Sequence, residues 1–101
     1  MKVIYTDQSY ESLDDSVEFL LHKQKLPTEK VSQIVSRVLD RTDNLVSTYK
    51  IYPIEQSLEH LQSGHQSAIE GHFKIVFLVK EEMIYITDIF DTRQDPQKMR
   101  S

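Results

Sequence analysis

The chain has 101 residues, a formal net charge of -4 and no cysteine. Its length suits one modest core, and the missing thiols exclude disulfides and thiolate metal sites. An acidic balance argues against a general nucleic-acid binder, because such proteins neutralise phosphates with a basic excess.

No apolar run approaches the roughly 18 residues of a membrane-spanning helix. The N-terminus MKVIYTDQ turns polar too soon for a signal-peptide core. The expected location is the cytoplasm, in agreement with the lack of cysteine.

Lys2–Thr6 reads as a first strand, and Thr6 or Asp7 can cap the helix that follows. In that helix Tyr10, Leu13, Val17, Leu20 and Gln24 recur on one face. Asp7, Glu11, Asp14, Asp15 and Glu18 form an acidic, solvated surface, which a basic partner could also meet. Leu26-Pro27 ends the helix and starts another, since a proline is tolerated in a first turn. Val31, Ile34, Val35, Val38, Leu39 and Thr42 then repeat at helical spacing. So short a break predicts an antiparallel helical hairpin with one shared apolar face.

Val46–Gln56, interrupted by Pro53, reads as a packed connection or an edge segment. Beyond it, Gly64 and Gly71 separate Leu58–Gln62, His65–Ile69 and His72–Val79. Glu81-Glu82 turns the chain into Met83–Phe90. The expectation is a meander of up to four short strands, rich in Ile, Val, Phe and Tyr. Phe73, Ile75, Phe77 and Val79 should share one face, and Lys74, Val76 and Leu78 the other. The whole predicts one α+β domain over residues 1–101, in the order β-α-α-β-β-β. Two N-terminal helices pack as a hairpin on a small antiparallel sheet. A polar, flexible tail is expected from about Gln94.

Chemical motifs are sparse. His22, His60, His65 and His72 show no HExxH spacing, so neither a metal nor another cofactor is expected. No nucleophile elbow or phosphate-binding glycine loop occurs. Tyr49, Tyr52 and Tyr85 suit packing more than base stacking, and Asp88 interrupts an apolar strand.

The element order, a cation in the penultimate strand and the closing Arg93-Gln94-Asp95-Pro96 resemble the RelE/ParE toxin superfamily. The specific part of the resemblance is Gly71–Pro96. It implies a cognate antitoxin as partner, and either messenger-RNA cleavage on the ribosome or poisoning of DNA gyrase. A homodimer is a further candidate assembly. Ribonuclease members often carry an arginine where this chain has Lys74, and some carry a histidine where it has Asp91. Gln94 replaces a second arginine, whereas Arg93 and Asp95-Pro96 match.

Cleavage by 2′-OH attack needs a base, a cationic cradle for the phosphate and an acid for the leaving oxygen. Lys74 and Arg93 can supply charge and Asp91 a base, which makes these the candidate catalytic residues. Lysine keeps the charge of an arginine but loses its bidentate fork. The reading that follows is a toxin that binds its target through Lys74 and Arg93 rather than an enzyme. A ribosome-dependent endonuclease is the alternative, and a non-toxic interaction module on the same fold a further one.

Overall fold

The computed structural model describes residues 1–61 and 63–94. β1 (Lys2–Tyr5) leads into α1 (Asp7–Glu18), which continues through a π-helical turn at Phe19–Lys23. α2 (Thr28–Thr48) is followed by two short 3-10 helices, Tyr49–Ile51 and Gln56–Leu61. β2 (Gln66–Glu70), β3 (Phe73–Lys80) and β4 (Met83–Asp91) complete the α+β fold.

Thr6 starts α1 as expected. Its Oγ1 accepts from the Ser9 N–H at 3.2 Å, and its own hydroxyl donates to the Ile86 carbonyl at 3.0 Å. One threonine therefore caps the helix and ties it to β4. Leu13 and Val17 pack against the core. The fully buried face of α1, however, is Ser9, Ser12 and Ser16, while Tyr10 stays 54% exposed. Small residues let this helix approach β4 closely, so packing distance rather than hydrophobicity chose the buried face.

The helix then widens. The Gln24 N–H donates to Phe19 O at 3.0 Å, and that of Leu26 to Leu20 O at 3.0 Å. Lys25 adopts φ 54°. This is a Schellman-like ending widened by one residue, with lysine at a position that usually takes glycine. α2 buries Val31, Val38, Thr42 and Leu45, and runs two turns further than the apolar pattern marked. Tyr5 hydroxyl bonds to Thr42 Oγ1, and burial pushes the Tyr5 phenol up.

The sheet order is β1-β4-β3-β2. β2, β3 and β4 are antiparallel as expected, but β1 pairs parallel with β4, so the sheet is mixed. Parallel neighbours need a long crossover, and here most of the chain, both helices included, supplies it. Leu58–Gln62 does not form the extra strand. Gln56–Leu61 is a 3-10 helix, and Leu58 packs on the sheet with Val76 and Phe90. Gln62 lies outside the described residues. Pro53 and Ile54 form the edge expected of that connection: Ile54 bridges Gln66, and the Ser67 N–H donates to Pro53 O at 3.1 Å.

A β-bulge breaks the β3–β4 register. Val76 pairs with Asp88 but Phe77 with Ile86, which leaves Thr87 as the extra residue. One added residue reverses the facing of everything after it. Ile84 and Ile86 face the helices before the bulge, and Ile89 does so after it. The main core joins these to Leu20, Phe73, Ile75 and Phe77. A smaller cluster of Leu58, Val76 and Phe90 covers the opposite, open face. Gln94 is buried at the end of β4; the rest of the expected tail, from Asp95, lies outside the described residues.

Candidate functional site

The end of β4 is held by a chain of polar contacts. The Asp91 N–H donates to Ser16 Oγ at 3.0 Å. Gln94 Nε2 donates to the Asp15 carbonyl at 3.2 Å. Both anchor β4 to the serine face of α1. Asp91 is fully buried, and its carboxylate takes a bidentate grip from Arg93: Nε to Oδ1 at 3.0 Å and Nη2 to Oδ2 at 2.8 Å. The Arg93 N–H adds a third bond to Oδ1 at 2.9 Å. These bonds raise the Arg93 pKa, the hydrogen bond to Asp91 first.

The π-helical turn of α1 faces the same arginine. Arg93 Nη1 donates to Gln24 Oε1 at 3.2 Å, and the guanidinium lies 5.9 Å from the centre of the Phe19 ring, within cation–π range. Such turns recur at functional sites. Here the turn places Phe19 and Gln24, the first and last residues of one i→i+5 bond, against Arg93. Arg93 keeps about a third of its side chain exposed.

Lys74 belongs to the other face. It pairs in register with Phe90, while Phe73 pairs with Asp91. Without the bulge, Asp91 would share the face of Lys74. With it, the three candidates divide into an Asp91–Arg93 pair on the helical side and a separate Lys74. The Lys74 Nζ lies 2.8 Å from Oε2 and 3.2 Å from Oε1 of Glu55. Burial works to raise the Glu55 carboxyl, yet Lys74 and the Ser57 contacts hold it below its ordinary value. Glu55 is itself clamped, because its N–H donates to His65 O at 2.8 Å. His65 is buried, and burial pushes its pKa down.

Sequence reasoning missed Glu55, Phe19, Gln24 and Ser16. Glu55 lies in the least patterned stretch of the chain, and nothing local predicts burial of a glutamate. Phe19 and Gln24 owe their roles to the irregular turn. Among the described residues, no three His, Cys, Asp or Glu side chains converge as a metal site. The acidic residues Asp7, Glu11, Asp14, Asp15 and Glu18 are exposed, as expected. No helix among the described residues is long and apolar enough to cross a membrane.

No protein-family model and no curated protein matches this chain. Solved structures do. The chromosomal ParDE toxin–antitoxin system from P. aeruginosa superposes with a TM-score of 0.72 at 17% identity, over 90% of this chain and 95% of that one. The toxin–antitoxin complex RelBE2 from Mycobacterium tuberculosis gives a TM-score of 0.51 at 17% identity, over 89% of this chain and 95% of that one. At this identity the likeness speaks to architecture: two helices on a four-stranded mixed sheet, in the RelE/ParE toxin fold.

Proposed function

We propose that this chain is the toxin of a bacterial type II toxin–antitoxin pair, neutralised by a cognate antitoxin in the cytoplasm. It acts by binding a macromolecular target, such as DNA gyrase, rather than by cutting RNA. Support for the pair comes from the two similar structures, both of toxin–antitoxin systems. Preference for binding rests on the open face of the sheet. Its Lys74 ammonium is already matched by the buried Glu55 carboxylate, and Leu58, Val76 and Phe90 fill the surface beside it. A phosphate cradle needs cationic groups that are free to meet developing charge. On the other face Asp91 is buried in a bidentate pair with Arg93, a poor arrangement for a base. In this reading Arg93, partly exposed and rigidly held, meets a protein surface, and Lys74 is structural.

The test is growth of a bacterial host after induction of this chain, alone and with the gene beside it. Arrest relieved by the neighbour, with intact messenger RNA and inhibited supercoiling by purified gyrase, is the expected outcome. Ribosome-dependent cleavage of messenger RNA that collapses in a folded Lys74→Ala variant would instead establish the endonuclease. Normal growth with soluble, folded protein would point to the non-toxic module.

A further inference from the structure

Arg93 stands between two adjoining pockets. One, of about 210 Å³, lies between α2 and the β2–β3 turn, with Lys30, Arg37, Ile34 and Phe73 in its lining. The other, of about 480 Å³, opens against the π-helical turn and includes Phe19 and Lys23. Each contains Arg93.

Charge in the smaller pocket runs against that of the chain. Its two carboxylates are already engaged, Asp91 by Arg93 and Glu70 by Arg41 at 2.9 Å. Lys30 and Arg37 are exposed, and among the described residues neither makes an ion pair. A local cationic excess therefore sits on a molecule of net charge -4. The pocket is also smaller than the roughly 300–1,000 Å³ usual for small-molecule ligands. It suits one side chain of a larger partner. Asp15 and Glu18 border the larger pocket, so negative charge is favoured at the smaller pocket alone, and a continuous run of phosphates across both fits poorly.

We infer that this double pocket is the docking site for an acidic peptide segment of the partner protein. One carboxylate side chain sits between Lys30 and Arg37, and a neighbouring apolar side chain lies against Phe19. Arg93 is held in advance by Asp91, Gln24 and Phe19, so little side-chain freedom is lost when a partner lies across it. The inference rests on the reading above that the chain has a protein partner, and it adds where that partner binds and by what chemistry.

The experiment compares the full chain with a Lys30→Glu/Arg37→Glu variant, both first shown by thermal melting to be folded. Should the reversal fail to fold, Lys30→Gln/Arg37→Gln replaces it. The probes are the full-length product of the neighbouring gene and short overlapping synthetic peptides covering it, followed by fluorescence anisotropy at low and high salt. The expected result is that the wild type binds the full-length product and a peptide carrying Asp or Glu beside an apolar residue. Reversal should weaken both by about tenfold or more, and added salt should weaken the wild type alone. Equal binding of the full-length product by wild type and variant overturns the inference and leaves the partner reading standing. Failure of the wild type to bind that product removes the partner reading and the inference with it. Self-association of the wild type that the reversal abolishes would assign the pocket to a second copy instead.

Discussion

Lys74→Ala gives the sharpest test of whether Lys74 holds the fold or serves as a free functional cation. Removing one partner of a fully buried ion pair costs about 3–5 kcal/mol, whereas exposed pairs are worth about 0–1 kcal/mol. In this pair the lysine side chain is 25% exposed and the glutamate 6%. Alanine strands the more buried charge, which among the described residues keeps its Ser57 contacts. A loss of about 2 kcal/mol at pH 7 follows, a fall in Tm of roughly 8–16 °C for a domain of this size. Glu55→Gln should cost less, because the stranded lysine can extend to water. Lys74→Met combined with Glu55→Gln should recover most of the loss. The effect also has a pH signature. The Glu55 pKa is depressed in the fold, so its contribution is complete above its unfolded value near 4.5 and is lost as pH falls through the folded value. In Lys74→Ala that depression is relieved, Glu55 takes up a proton sooner, and the deficit against wild type narrows below about pH 4.5. Thermal melts across pH 3–7 provide the assay. An unchanged Tm at pH 7, or a deficit of constant size down to acid pH, would refute a structural role for the pair.

His65 is buried with a depressed pKa, so its contribution is complete above the unfolded value of about 6.5 and declines as pH falls toward the folded value. His65→Gln should flatten the melting profile in that window, and an equal slope in both proteins would reject the assignment. Ser16→Ala removes the acceptor for the buried Asp91 N–H and should cost about 1–3 kcal/mol in urea unfolding. Glu81 and Glu82 both adopt positive φ, 54° and 64°, the pattern of a type I′ turn. Replacing them with Asn-Gly should raise stability by about 1 kcal/mol, and a lower Tm would show that the glutamates make a compensating contact.

Much of the architecture was legible because it is written locally. The spacing from Val31 to Thr42 marks an amphipathic helix whatever surrounds it. Gly71 occupies φ 60° at the first position of a two-residue turn, where a side chain would be strained. Phe73–Lys80 and Met83–Asp91 pair across a two-residue loop, as their composition implies. Arg93, singled out by the closing motif, lines two pockets.

What the tertiary structure alone decided depends on contacts between distant residues. β1 chose β4 as a parallel neighbour because the crossover brings Ile4 beside Tyr85, and no local pattern states that choice. α1 buries serines because β4 lies close beneath it. Above all, alternation predicts the facing of a strand only while its register holds. One unpaired residue, Thr87, turns Asp91 and the chain after it toward the helices and leaves Lys74 with Glu55 on the far face. The candidate site was legible in the sequence only at Lys74, Asp91 and Arg93. Its division into two separate places came from a bulge, which long-range pairing creates and residue order does not reveal.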